Sequence, residues 1–350
     1  MVRGCLKKGG LFFYSVLKSR GRIYYFAEMK YFLEKKAWNL MLVAACLLTL
    51  PGTGTSVAQE NDLYRIEIPR GETLKSFFQY TSDRIPLVST HRGGSRAKFP
   101  ENCIPTFENT LRHTWSALEI DPRYSKDSVV VLMHDATLER TTNGTGKVSD
   151  FTYAELQGLR LKDTEGNLTP HLIPTLDEAI RWAQHKTILI VDQKDVPVEA
   201  RVKKIREHKA QSWVALIVYS LEDAVKCHSL DPDIMMELMV PDAAAMNRIE
   251  SAGIPWENVI AFVTHTDVKD PAIFAQLHAR KVMCIRGSSR TLDKQYTEGK
   301  ISGTKALRSG YGELVAGGAD IIEADLGIEA GQALKKLKKP GSSKARFFVR

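Results

Sequence analysis

Glu119 and Asp121 are one residue apart in Leu118-Glu-Ile-Asp121, so in an extended segment both carboxylates project from one side. Asp192 and Lys194 repeat that spacing directly after the apolar run Ile188–Val191. Charge at the end of a buried segment is costly unless it is paired or metal-bound. Three converging carboxylates suit a hard divalent cation with oxygen ligands, Ca2+ or Mg2+. Structural ion pairing of the same acids with Arg92 and Lys194 is the competing reading, and spacing alone does not separate the two. His91 and His134 each end a short apolar run, and two imidazoles that ordinarily titrate near about 6.5 can divide general acid and base work. His113, His185, His208, His228, His265 and His278 read as ordinary core or surface histidines.

The elements that must position these residues follow a regular beat. Short apolar, β-branched runs occur at 85–91, 117–123, 129–134, 187–194, 213–220, 233–240, 259–265, 281–287 and 319–325. Most are apolar on both faces, as in a buried parallel sheet. Helical stretches at 105–116, 175–186, 197–209, 221–228, 242–251 and 271–279 separate most of them. A parallel crossover takes about a dozen residues or more, and only Tyr124–Ser128 separate the second and third runs. The third run therefore turns back antiparallel and opens an excursion that ends near Ile173. Eight βα units remain, which predicts an α/β chain folded as a (β/α)8 TIM barrel with a small insertion, about 124–173, after the second strand. A doubly wound sheet would carry a Gly-rich phosphate loop after its first strand, and His91-Arg-Gly-Gly-Ser-Arg is not one. Barrel active sites lie at the carboxyl ends of the strands, where His91-Arg92, Glu119-x-Asp121, Asp192-x-Lys194 and Asp325 fall. Residues 59–84 read as a pre-barrel segment with a short helix under the barrel, 85–331 as the barrel, and 332–350 as a basic tail. Ser288–Gly318 reads as a segment that reshapes the pocket mouth or as a surface insertion.

The chain has 350 residues, 43% hydrophobic and 26% charged, with a formal charge of +8. Residues 1–58 hold nine Lys/Arg and two Asp/Glu, leaving 40 basic and 39 acidic groups in the other 292. The body is thus electrically balanced, which argues against a nucleic-acid partner. Lys30, Lys35 and Lys36, the apolar run Leu40–Leu50 and Ser56-Val-Ala58 have the pattern of a secretory signal cleaved after Ala58. Met29 is then the natural start, residues 1–28 an over-extended reading frame, and the protein periplasmic or extracellular. A lipid anchor on Cys46 is the minority alternative. Cys103, Cys227 and Cys284 remain, with no CxxC pair, which argues against zinc and against a disulfide scaffold. The last seventeen residues carry seven Lys/Arg and no acid; they read as a solvated helix face with a frayed tail, or as a weak contact for an anionic membrane surface.

His91-Arg92-Gly93, Pro100-Glu101-Asn102, Leu118-Glu-Ile-Asp121, His134-Asp135 with Arg140-Thr-Thr142, Ile173-Pro-Thr-Leu-Asp-Glu178 and Asp192-Gln-Lys194 occur in one order. This succession resembles the glycerophosphodiester phosphodiesterase family, densely over about residues 85–195. The resemblance implies a (β/α)8 barrel that hydrolyses a small glycerophosphodiester, in a metal-dependent reaction, to sn-glycerol 3-phosphate and an alcohol. It implies His91 and His134 as acid and base, Glu119, Asp121 and Asp192 as metal ligands, and Arg92, Glu101 and Lys194 as residues near the phosphate and substrate. The sequence departs from the family in Asp192, where Glu is usual. It departs also in Cys284-Ile-Arg-Gly287, where Trp-Thr-x-Asn is usual, and in Ala324 for Thr. Those departures keep two alternatives open: a lysophospholipase D or sphingomyelinase D-like activity on lipid diesters, and a catalytically weak barrel that binds a phosphodiester or glycan.

Overall fold

The computed structural model describes residues 13–19, 22–28 and 62–350. Two compact units are distinguished, Met1–Thr55 and Ser56–Arg350. In the first, Phe13–Ser19 and Arg22–Glu28 pair as an antiparallel hairpin. The secretory signal, Met29 and Cys46 lie outside the described residues. No helix among the described residues is long and apolar enough to cross a membrane.

The second unit is a closed barrel of eight parallel strands. They are β1 (Leu87–Thr90), β2 (Ser116–Ile120), β3 (Leu189–Val191), β4 (Val214–Val218), β5 (Met235–Met239), β6 (Val259–Thr264), β7 (Cys284–Gly287) and β8 (Ile321–Ala324). Each pairs with the next in sequence, and β8 closes on β1 with Ile321 opposite Leu87. Crossover helices cover the outside. In Leu176–Ala183 the residues Leu176, Ala179, Ile180 and Ala183 fall on one stripe and are buried. Thr175 and Glu178 cap that helix reciprocally, so it starts where the chain leaves the insertion.

The insertion opens as Pro122–Tyr124 paired antiparallel with Val130–Leu132, the turn-back that the short connection requires. It packs its own small core around Val131, Met133, Leu138 and Ile173.

Two expectations are corrected. Ser288–Gly318 is not a surface insertion, because it contains the seventh crossover helix, Gly303–Ala316. A π-turn at Ser289–Asp293 precedes that helix, and its fully buried Asp293 links the ends of two strands. It accepts from Ser288 Oγ (3.0 Å), the Asp325 N–H (2.8 Å) and Tyr311 Oη (2.6 Å). The basic tail is not frayed either: Phe348–Val349 pairs with Arg65–Ile66 under the barrel. Lys344 is buried and Arg346 pairs with Glu72 at 2.8 Å.

The barrel's lower half is apolar, with Leu87, Ala117, Ile190, Ile260 and Ile321 in one cluster with Phe77, Phe78 and Phe347. Phe347 is fully buried and meets Phe77 edge-on at 5.2 Å. Phe347→Ala should cost about 3–5 kcal/mol, read as a lower urea midpoint with an unchanged slope.

Candidate active site

The upper half of the barrel is polar, and β1 shows how the sequence makes it so. After Thr90 the backbone turns sharply, with Arg92, Gly93 and Gly94 at φ 50°, 78° and 95°. A Cβ on Gly93 would lie 2.2 Å from the Phe107 ring, so only glycine fits there. The turn aims the Arg92 N–H at Glu119 Oε2, 2.8 Å away. His91 Nδ1 lies 2.6 Å from Asp325 Oδ1, and its Nε2 is 3.9 Å from Glu119 Oε2. Burial disfavours the charged ring, but the Asp325 bond and the carboxylates of Glu119 and Glu323 outweigh it and raise the His91 pKa to about 9.

His134, after the insertion ribbon, is oriented at both ends. Arg123 holds its carbonyl from Nε (2.9 Å) and Nη2 (2.7 Å). Its Nδ1 meets Asp135 Oδ1 at 2.7 Å, which fixes the tautomer and leaves Nε2 as the free lone pair. Burial pulls the His134 pKa below its ordinary value, against the opposing pull of Asp135. Asp135 Oδ2 in turn accepts from Arg140 Nε at 2.5 Å, and Arg140 grips both oxygens of Glu101 at 2.8 Å. Arg92 Nη1 reaches Glu101 at 3.2 Å. The charges alternate from Arg92 through Glu101, Arg140 and Asp135 to His134. Glu101 is thus the clamp between two arginines.

Glu119, Asp121 and Asp192 bring one oxygen each within 4.8 Å of one another, and all three residues are buried. Asp121 Oδ2 accepts from Asn102 Nδ2 at 2.6 Å, and the Asp121 N–H donates to Asn102 Oδ1 at 2.9 Å. Asn102 sits at φ 55°, a conformation that asparagine tolerates better than most residues. Lys194 lies 2.9 Å from Asp121 Oδ1 and also contacts Asp192. Asp121 Oδ1 is buried and has no aligned hydrogen bond. Burial and the neighbouring Asp121 push Glu119 well above the usual carboxylate range. Three buried carboxylates sharing the single close cation of Lys194, one of them crowded by like charge, are what a divalent cation would relieve, so the donor set fits one. The Asp192 side chain, one methylene shorter than glutamate, accepts from Tyr219 Oη at 2.7 Å.

His91, Arg92, Glu119, His134, Asp192 and Lys194 therefore line one cavity of about 350 Å³, with Asp121 in the same carboxylate cluster. Glu101 lies outside that lining and acts on it through Arg92 and Arg140. Several wall residues were not singled out in the sequence. His265 belongs to the wall rather than to the core or free surface, and Gly287 makes room for it, since a Cβ there would lie 2.3 Å from His265 Nδ1. Tyr219, Arg290, Glu323 and Asp325 also line the cavity. Glu237, midway along β5, is fully buried and raised well above the usual carboxylate range by burial and then by Glu323.

Residues 91–292 match the glycerophosphoryl diester phosphodiesterase family. The chain is similar to a glycerophosphoryl diester phosphodiesterase from Parabacteroides distasonis ATCC 8503, with 44% identity, a TM-score of 0.77 and coverage of 82% of this chain and 99% of that one. A glycerophosphodiester phosphodiesterase of Bacillus subtilis (strain 168) is 29% identical over 172 residues. That match covers 43% of this chain and 58% of the relative. An Oleispira antarctica phosphodiesterase, solved with the product sn-glycerol-3-phosphate, shares the fold at a TM-score of 0.53 and 23% identity, over 72% of this chain and 97% of that one.

Proposed function

Since the chain belongs to the glycerophosphoryl diester phosphodiesterase family, we propose that it hydrolyses small glycerophosphodiesters to sn-glycerol 3-phosphate and an alcohol. The observation that carries this reading is the meeting of two carboxylate-oriented histidines with three convergent carboxylates around a single cavity. His134, unprotonated at neutral pH, is the base that takes a proton from the attacking water, whose oxygen ends on the phosphorus of glycerol 3-phosphate. His91, held protonated, is the acid that gives one to the departing alcohol oxygen. Arg92 and Lys194 line the cavity and stabilise charge gathering on the phosphoryl oxygens. Glu119, Asp121 and Asp192 would hold Ca2+ or Mg2+, which supplies Lewis-acid stabilisation of the same oxygens.

The test is release of glycerol 3-phosphate from glycerophosphoethanolamine, with Ca2+, with Mg2+ and with EDTA. Turnover that requires one of the two cations is expected. Folded, cation-loaded protein that releases nothing overturns the reading. A second expectation concerns the clamp. Glu101→Gln leaves Arg92 and Arg140 without their shared counter-charge, so kcat should fall about 10–100-fold. Glu101→Asp should recover part of the loss.

A further inference from the structure

A second cavity, about 550 Å³, adjoins the catalytic one and shares His91, Arg92 and Asp325 with it. Its remaining walls come from the loop after β1, the insertion, the segment after β7 and the segment after β8. A phosphodiester has two arms on one phosphorus. With the phosphorus at the histidines, one arm fills the catalytic cavity and the other must leave across the shared border. Resting on the function proposed above, we propose that this second cavity is the subsite for the alcohol arm, and that it is built for an uncharged polyhydroxy alcohol.

The chemistry of the walls selects that class. Each of the three carboxylates lining the cavity already has a cation. Glu101 is held by Arg92 and Arg140, Asp325 by His91, and Glu329 by Arg96 at 3.0 Å. An ammonium headgroup therefore finds no free counter-charge. Ala97 and Leu326 are the apolar side chains of the lining; the rest of its carbon surface belongs to the stems of polar side chains and is too small to hold an alkyl chain. Hydrogen-bonding groups are present: Ser95, Arg96, Thr164 and Thr297 line the cavity, and the Thr297 hydroxyl, which donates to the Asp293 and Lys294 carbonyls, can still accept. Hydroxyl groups both donate and accept, so a polyol can satisfy such a mixed wall. His91 stands on the border between the cavities, where the leaving oxygen of that arm would be protonated.

The test compares glycerol 3-phosphate esters of methanol, ethanolamine, myo-inositol and octanol. Ala97→Trp and Thr164→Trp fill the cavity from two different exposed loops, and neither residue touches the catalytic groups. In the unmodified chain, kcat/KM for the inositol ester should exceed that for the methyl ester by about tenfold or more. Both variants should erase that advantage through KM, while turnover of the methyl ester, which reports intact folding, stays within about twofold. An unchanged ratio in both variants, or preference for the ethanolamine ester or the octyl ester, overturns the subsite and leaves the hydrolytic reading standing. Absence of glycerol 3-phosphate from every ester overturns both.

Discussion

Replacing His134 with alanine is expected to lower kcat/KM for a glycerophosphodiester by about 10²–10⁴-fold, with most of the loss in kcat. The expectation rests on how completely the ring is held: Arg123 fixes its backbone, Asp135 takes Nδ1, and Arg140 holds Asp135. Nothing in that arrangement is needed to bind the substrate, so KM should move little. The pH dependence follows from the sign of the shift. A base works unprotonated, and burial lowers the His134 pKa. Activity should therefore hold through neutrality and fall only as pH drops below the ordinary imidazole value of about 6.5. Asp135 opposes that lowering, so Asp135→Asn should carry the acid limb to still lower pH while reducing kcat through the lost tautomer. The alkaline limb belongs to His91, whose proton is held up to about 9; a cation on Glu119 weakens that hold and draws the limb down. An alanine variant that keeps a tenth or more of the activity would remove His134 from proton transfer.

Glu119→Gln should abolish cation-dependent turnover, by about 10³-fold or more, and yet stabilise the cation-free protein. The two effects share one cause. Glu119 is buried beside Asp121 and Asp192, and its raised pKa means that folding works against its charge. Removing the charge relieves that repulsion and at the same time removes a ligand. Asp121→Asn should behave differently. Asp121 is lowered overall, because Lys194 and Asn102 outweigh its burial. Its charge therefore contributes stability, and neutralising it should lower the cation-free melting temperature. Calorimetric titration with Ca2+ and thermal melts with and without the ion separate the cases. Wild type should be stabilised in proportion to ligand excess, and neither variant should respond. A Glu119→Gln protein that still binds Ca2+ with one-to-one stoichiometry would take Glu119 out of the ligand set.

What was legible in the sequence was what periodicity carries. The two-residue spacing of Glu119 and Asp121 survives because a strand has only two faces, and the five residues after Arg123 forced a turn-back because no crossover is that short. Groups whose role depends on backbone conformation were not legible. Asn102 supports Asp121 only because it adopts a left-handed turn, and Arg140 reaches Glu101 across 39 residues. Others left a signal. Glu237 and Glu323 are lone acids inside the apolar strands Met235–Met239 and Ile321–Ala324, where the cost of burial alone marks them as facing something polar. His265 was assigned to the background because a lone histidine usually belongs there; the cue was Gly287 on the neighbouring strand, which leaves the space that the ring occupies.

Phe348 pairs with Ile66 beneath the barrel, 282 positions later in the chain (348 − 66). During synthesis the floor of the barrel therefore waits for its last stitch. At about 5–20 residues per second, that interval is roughly 15–60 s. Phe77 and Phe78 spend it without the aromatic partner that finally covers them. A nascent chain at this stage carries a greasy, half-closed base, the kind of surface that holding chaperones bind. The step that ends this vulnerability is the arrival of residues 347–349, well after every catalytic side chain has been made.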